Sequence, residues 1–426
     1  MKVQKILKRL LQLHPKSIDL SLDRIKRLLN NLGNPEKHLK NPIQVVGTNG
    51  KYSFCTALRE IFETAGYKVN MNTSPSLRKF NERYYFSGKY ISDKRLCNLL
   101  IEVEKVNRGK SITFHEFICA CFFLEAARNK ADINILESGL FFRLDASNVL
   151  KKNIASVIMP IGIDHKDFLK KGTIDEIVYE KCSHLLGNSV VVISKQSKTV
   201  LKKIKKNLKK NSSKKIFFSE NYSYKKNEKG FKYMDRFGKI DLSFPNLQGD
   251  FQISNVSSAI ATVRNLKKFK ITKFHINKAI RKIRSEGRLQ NITQGKLRNF
   301  VNKKNQIVVD GAHNPLAALE IKKYLNHKYS KKKIVMVLGM MANKEHKKFI
   351  KILKNNVHSI VALDIPNHIN FMPKEKLVEV AKSYNIISKT EISIKSAFKN
   401  ISKQHEDAII FCTGSLYFAG EILNLN

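Results

Sequence analysis

Ile43-Gln44-Val45-Val46-Gly47-Thr48-Asn49-Gly50-Lys51-Tyr52-Ser53 starts apolar and ends in a glycine turn. Ile43–Val46 is short and apolar enough to be a buried strand. After the turn, Phe54, Ala57, Leu58, Ile61, Phe62 and Ala65 recur at helical spacing until Gly66. A strand, a tight turn and a helix in that order place N–H groups and the positive end of a helix dipole at one point, which is an anion site. In such a turn Thr48, Asn49 and Gly50 face the anion. Lys51 brings a mobile charge to the β/γ-phosphates of a nucleotide, and the Ser53 hydroxyl can hold Mg²⁺. The spacing is shorter than the common phosphate loop, which has a further glycine before its Gly-Lys pair. An ordinary strand–helix turn therefore stays open on the motif alone, although its position between strand and helix favours a nucleotide.

Working outward, the same alternation continues. Ile133–Leu136 and Ala155–Ile161 read as further strands, with amphipathic helices between them. This predicts an α/β protein whose P-loop-type central domain has a mostly parallel sheet. Tyr222–Phe244 alternates apolar and polar residues with turn signals, a small antiparallel excursion. From Leu289 the pattern restarts, with strands at Gln306–Val309, Ile334–Leu338, Ser359–Leu363 and Ala408–Cys412. They predict a smaller, Rossmann-like C-terminal α/β domain. The boundary falls at Gly287–Gln290, giving domains 1–288 and 289–426. Ligands of open α/β sheets sit at the carboxyl ends of strands, so the residues after each strand are the ones to examine.

Length and composition narrow the class. A chain of 426 residues with 42% hydrophobic residues can bury more than one core, and no apolar run approaches the roughly 18 residues of a membrane span. The net charge of +44 admits a nucleic-acid or anionic-membrane partner. Its lysines are spread along the chain, however. In Lys195–Lys215 they surround Val200, Leu201, Ile204 and Leu208 on one helix face, with no aromatic interleaved, and read as a wet face. Cys55, Cys97, Cys119, Cys121, Cys182 and Cys412 form no Cys-x-x-Cys pair and sit in apolar stretches, as reduced core residues of a cytoplasmic protein do. At the amino terminus Val3, Ile6, Leu7, Leu10 and Leu11 share one face among Lys2, Lys5, Lys8 and Arg9. That predicts an amphipathic first helix. The lack of acid before Asp19 leaves an organellar transit peptide open.

Two further groups follow strands. Glu137 comes after Ile133–Leu136, and Asp164-His165 after Ala155–Ile161. Hard oxygen ligands suit Mg²⁺ and imidazole suits it less, so spacing alone leaves these as metal ligands, helix caps or surface groups. Asp310-Gly311-Ala312-His313-Asn314-Pro315 follows Gln306–Val309, and Thr413-Gly414-Ser415 follows the last strand. Asp-Gly and Asn-Pro are ordinary turn chemistry, but they also bring a carboxylate and an imidazole to a strand's carboxyl end.

Taken together, these residues resemble folylpolyglutamate synthase/dihydrofolate synthase of the Mur ligase superfamily. The likeness runs through Val46–Ser53, Thr73-Ser74-Pro75 with Phe80–Arg83, and Ile112–Glu116. It continues through Leu136–Leu140 with Arg143–Asn148, Ile161–His165, Glu180-Lys181, Gln252 with Asn255, Gly287-Arg288, Asp310–Pro315 and Thr413–Leu416. Ile18–Ile25 resembles the family's leading helix segment. The resemblance implies an ATP-dependent acid–amino-acid ligase, in which ATP phosphorylates a carboxylate of dihydropteroate or a folate tail and L-glutamate attacks the acyl phosphate. It implies ATP contacts at Thr48, Asn49, Gly50, Lys51, Ser53, Asn255, Arg288 and Asp310, and magnesium at two sites held by Ser53, Ser74, Glu137 and His165. It also implies a carbamylated Lys181, a catalytic group of Lys51, Lys181, His165 and His313, and a substrate pocket of Asp19, Leu20, Ser21, Thr113, Leu144, Asp145 and Ala146. The partners it implies are small molecules, with no membrane and no nucleic acid, and the chain acts as a monomer.

The sequence departs from the family's pattern at Tyr52, Ser76, Phe251 and Asn343, and at Phe141-Phe142, where the family has paired glycines. Tyr52 is expected in the first helical turn, where a side chain fits without strain. Phe141 and Phe142 are expected either to hold a strained positive φ or to re-floor the pterin pocket. Two rivals stay open: a ligase of the same superfamily acting on a non-folate carboxylate, and a non-catalytic nucleotide- or nucleic-acid-binding relative.

Overall fold

The computed structural model describes residues 3–14 and 19–426. Lys2 and Ile18, which entered the reading of the amino terminus, lie outside the described residues. The chain folds as two compact units. One holds Met1–Ile161, Thr173–Asn246 and Ile253–Ile283, and the other holds Gly162–Gly172, Leu247–Gln252 and Arg284–Asn426.

In the first unit the strands are β1 (Pro42–Val46), β2 (Val69–Asn72), β3 (Tyr84–Phe86), β4 (Lys89–Tyr90), β5 (Ile133–Glu137), β6 (Ala155–Ile158), β7 (Val190–Ile193) and β8 (Lys214–Phe217). Among the described residues they form an eight-stranded sheet in the order β4-β3-β2-β5-β1-β6-β7-β8. From β2 to β8 every pairing is parallel, while β3 and β4 attach antiparallel at one edge. The chain runs from β5 past β1 to β6, so its direction switches beside β1, where an open α/β sheet binds its ligand. Register decides two strand ends. Val45 pairs with Glu137, so Glu137 is the last residue of β5 and does not follow it. β6 stops at Ile158 and not at Ile161, because Pro160 has no N–H to continue the ladder.

Strand β2 escaped the reading because Asn70 and Asn72 look wrong for a buried strand. Asn70 is fully buried, and its amide donates to Asn134 Oδ1 on β5 at 3.1 Å and to the Ala126 carbonyl at 3.3 Å. A polar group is tolerated inside when its hydrogen bonds are made. The helix Phe114–Arg128 is apolar on almost every face and buried from Glu116 to Ala126. It sits in a core with the first helix, Val3–Leu13, which buries Val3, Ile6 and Leu10 as its spacing predicts. The lysine-rich segment forms the helix Lys198–Asn207, burying Val200 and Ile204. The antiparallel excursion is a three-stranded sheet of β9 (Tyr222–Asn227), β10 (Gly230–Asp235) and β11 (Gly238–Ser243).

The second unit carries β12 (Gln290–Ile292), β13 (Gln306–Val309), β14 (Ile334–Leu338), β15 (Ser359–Ala362), β16 (Ile387–Thr390) and β17 (Ile409–Thr413). Their order is β12-β13-β17-β14-β15-β16, parallel except for β12. Four of these were legible as apolar runs; the two edge strands, short and half exposed, were not. All six cysteines are buried thiols, and among the described residues no helix is long and apolar enough to cross a membrane.

Candidate functional site

In the first unit the loop after β1 is shaped by two glycines. A Cβ on Gly47 would lie 2.7 Å from the Met159 Cβ, so only glycine lets the two chain segments pass. Gly50 caps the helix Lys51–Thr64 at φ +80, and a Cβ there would lie 2.6 Å from Asn255 Oδ1. Asn255, nearly two hundred residues away in sequence, therefore stands against the loop, as the resemblance implies for a nucleotide contact. The Thr48 and Asn49 amides donate to the Pro160 carbonyl at 2.8 and 3.2 Å, which pins the loop to the end of β6. Gln196 braces that end in turn, accepting from Ile161 N at 3.0 Å and donating to Met159 O at 3.1 Å. Phe54 N closes the first helical hydrogen bond onto Gly50 O, so the anion-facing turn is Gly50–Ser53. Tyr52 lies in that helical turn without a positive φ, as expected.

Lys51 reaches back over the loop, donating to the Gly47 carbonyl at 3.2 Å, with its Nζ 3.7 Å from Glu137 Oε1. Glu137 is buried at the end of β5 and accepts from Ser74 N at 3.2 Å. The Ser74 hydroxyl is buried and makes no hydrogen bond among the described residues. A buried hydroxyl without a partner, beside a carboxylate and below a phosphate-type loop, suits a hard divalent cation. Ser53, in the first helical turn, is buried on the same unit. Among the described residues no group of three or more His, Cys, Asp or Glu side chains would hold a metal alone. That suits Mg²⁺, which binds through one or two carboxylates and leaves other positions to water and phosphate oxygens.

Lys181, on the helix Ile174–Cys182, is buried and donates to the Gly47 carbonyl at 3.0 Å. Its Nζ also lies 5.5 Å from the centre of the Phe141 ring. A carbonyl oxygen and the face of a π system are both partners for a cation. A carbamate at this nitrogen would bring negative charge against them, so these surroundings do not suit one.

The pterin-side residues form a separate cluster in the same unit. Thr113 caps the helix Phe114–Arg128 and shares a capping box with Glu116. Glu116 accepts from Thr113 N at 2.7 Å and from Arg24 Nε at 3.0 Å, and Arg24 also binds Asp19 at 3.1 Å. The Asp19–Ser21 segment is thus tied to Thr113 through one arginine. Asp145 organises the next loop. Its carboxylate accepts from the amides of Gly139, Leu140 and Ser147 and from the Ser147 hydroxyl, and lies 3.3 Å from His115 Nε2. Burial alone would raise its pKa, but the His115 charge and these donors outweigh burial and bring it down to about 2. Burial lowers the His115 pKa, and Cys119 and Asp145 outweigh that and raise it well above its ordinary value. Leu144 and Ala146 flank Asp145 on the same loop. Phe142 is fully buried, and Phe141 is buried at φ +55, the left-handed region that the glycine pair signals.

The second unit holds the remaining candidates. Asp164 accepts from Lys344 Nζ at 2.7 Å and Asn314 Nδ2 at 3.2 Å, and His313 Nε2 lies 3.3 Å away. Burial works against its charge, but His313, His165 and Lys344 hold its pKa far below the carboxylate range. His165 follows at φ +54. Asp310 accepts from the amides of Leu289 and Ala312, both at 2.8 Å, and burial raises its pKa despite Arg288 nearby. Sequence reasoning put weight on His313 and left out Asp164 and Lys344, which hold it. The signal was there: Lys344 keeps the lysine of the family's Asp-Lys pair although its neighbour is Asn343.

The loop, the carboxylate beneath it and the second α/β unit define an ATP-dependent ligase of the Mur type. A family model of the Mur ligase middle domain matches residues 45–263, and one of the dihydrofolate synthetase C-terminal domain matches residues 293–425. The dihydrofolate synthase/folylpolyglutamate synthase of Buchnera aphidicola is 31% identical over 395 residues, covering 89% of this chain and 88% of that protein. The chain belongs to the dihydrofolate synthase/folylpolyglutamate synthase family. Two solved structures share its fold. Escherichia coli FolC in complex with DHPP and ADP has a TM-score of 0.89 at 22% identity, covering 100% of this chain and 97% of that one. The Yersinia pestis bifunctional enzyme complexed with AMPPNP and Mn ion has a TM-score of 0.87 at 21% identity, covering 100% and 98%. Membership leaves neither rival from the sequence favoured.

Proposed function

We propose that this chain joins L-glutamate to dihydropteroate, to a folate's glutamyl tail, or to both, at the expense of ATP. The observation that carries it is the convergence of Gly47–Ser53, Asn255, Glu137 and Ser74 on one loop in the first unit. The ligands named for the Escherichia coli and Yersinia pestis enzymes support the same substrates and a divalent cation. A carboxylate oxygen of the pterin substrate attacks the γ-phosphorus, ADP leaves, and the glutamate amine then displaces phosphate from the acyl carbon. Phosphoryl transfer needs positioning and neutralised charge more than covalent help. Lys51 supplies the charge over the loop, and the helix start at Gly50 supplies donors. When bound, magnesium at two sites would neutralise phosphate charge, held by Ser53, Ser74 and Glu137 with His165. Asn255, Arg288 and Asp310 hold the nucleotide, and His313 faces the acceptor chemistry. Thr113, Leu144–Ala146 and Asp19–Ser21 line the pterin pocket. In this reading the division of labour falls at 288/289, and the enzyme works as a cytoplasmic monomer.

The test is ADP release by purified protein with ATP, Mg²⁺ and L-glutamate, adding dihydropteroate or tetrahydrofolate in turn. Release that needs both glutamate and a pterin is expected. Equal release without either would make the chain a simple ATPase. Which pterin supports turnover assigns first-glutamate addition, chain extension or both.

A further inference from the structure

The paired phenylalanines were expected to act on the pterin pocket, but their geometry divides them. Phe141 stays left-handed at φ +55, a conformation that costs a non-glycine residue about 1–2 kcal/mol. Such strain persists only where the surroundings over-determine it. Here they do so through Arg143, two residues on. Its amide donates to the Glu180 carbonyl at 2.9 Å, and its guanidinium grips the Glu180 carboxylate at 2.9–3.0 Å. That ties the turn to the helix position next to Lys181. The Phe141 ring, 2% exposed, then lies against the Lys181 amine, which donates to Gly47 O in the phosphate loop.

We propose that Phe141 is a positioning residue for Lys181, holding it as an ammonium on the Gly47 carbonyl, so that this aromatic acts on the nucleotide end of the site and not on the pterin pocket. The proposal deepens the ligase reading and rests on it. It also bears on carbamylation. In that reaction the neutral amine's lone pair forms an N–C bond to CO₂, one C–O π bond opens to a carboxylate, and a proton leaves the nitrogen for solvent. The product replaces a cation by an anion between a carbonyl oxygen and the negative face of a ring. Phe141 therefore works against the carbamate that the family resemblance implies, and Lys181 acts unmodified.

The test compares wild type with Phe141→Leu, Phe141→Gly, Lys181→Met and the Lys181→Met/Phe141→Leu double variant. ATP affinity is measured by calorimetry with Mg²⁺, and KM is measured for ATP and for the pterin substrate. Leucine keeps bulk but removes the π face, so Phe141→Leu should weaken ATP binding by about 2- to 30-fold, the span of a cation–π contact. The pterin KM should stay within about twofold, and the leucine change should add nothing in the Lys181→Met background. With ¹³C-bicarbonate, wild type should give no carbamate signal and Phe141→Gly should gain one. Should Phe141→Gly fail to fold, Phe141→Leu carries the comparison. A pterin KM that moves while ATP affinity stays put would return Phe141 to the pterin pocket and overturn the proposal. A strong carbamate signal in wild type would overturn it equally. Absence of any ligase turnover would refute the ligase reading alone, because the calorimetric arm still reports on Phe141 and Lys181.

Discussion

The loops after β1 and β5 leave adjacent strands of one sheet and are built on opposite principles. Gly47–Ser53 is shaped by missing side chains: Gly47 lets Met159 pass and Gly50 takes a positive φ. Its helical turn is left with amides for an anion. In Ser138–Asn148 the amides turn inward onto one carboxylate, Asp145, which gathers Gly139, Leu140 and Ser147 and is neutralised by His115. A loop that spends its N–H groups on its own carboxylate has none to offer a phosphate. Its outer surface can instead be a fixed wall for an uncharged ring. Neighbouring strands thus carry an anion site and a shaped pocket, and the difference lies in where the backbone donors point.

The comparison breaks most visibly at Lys51. Lys51→Ala should lower turnover by about 10²–10³ while leaving the unfolding transition nearly unchanged, because it removes a charge partner from the site and nothing from the core. Steady-state kinetics beside urea unfolding would check this; near-normal turnover would remove the phosphate site.

Asp145→Asn should do the reverse. Removing one member of a buried charge pair typically costs about 3–5 kcal/mol, so urea unfolding should show a loss of that order. The pterin KM should rise and the ATP KM should hold. If both constants rose together, the two loops would not be the separate devices described above.

A smaller effect is set by pH. The Asp145 pKa falls from 3.8 to about 2 on folding, so its contribution is complete above its unfolded value and is lost as pH drops through the folded one. The shift is worth about 2 kcal/mol. His115 has the opposite sign: its share is complete below its ordinary value and is lost as pH climbs through the raised folded value. The stability difference between wild type and Asp145→Asn should therefore be flat from about pH 4 to 6 and shrink by about 2 kcal/mol toward pH 2. An undiminished difference at pH 2 would show that Asp145 does not owe its place to its charge.

The least effect is expected at Tyr52, where the family has glycine. Tyr52→Gly should lower stability by about 1 kcal/mol through helix propensity and leave ATP KM within a few-fold. A large change in ATP KM would mean that the tyrosine ring, and not only its amide, takes part at the loop.

Much of this was legible beforehand where the signal is local. The β1–turn–helix unit, the four apolar strands of the second sheet and the first helix are all written in short-range periodicity. So were most candidate residues, because strand ends are where an open sheet binds ligands. Buried polar residues misled the reading: Asn70 disguised β2 because its partner, Asn134, is over sixty residues away. Edge strands such as β16 escaped for the opposite reason, being half exposed and weakly patterned.

By itself the sequence determined the order of elements, the two α/β regions and the residue types available at each strand end, since these follow from hydrophobic period and turn chemistry over a few residues. The tertiary structure decided which groups meet. It set Asn255 against Gly50, Lys344 and His313 on Asp164, and Arg143 on Glu180. It also turned Phe141 toward Lys181 and away from its expected place at the pterin pocket. The reason is range. A period of 2 or 3.6 residues says which face a side chain occupies, but a buried charge or ring is matched by whatever the sheet order brings beside it, and that order is a property of the whole chain.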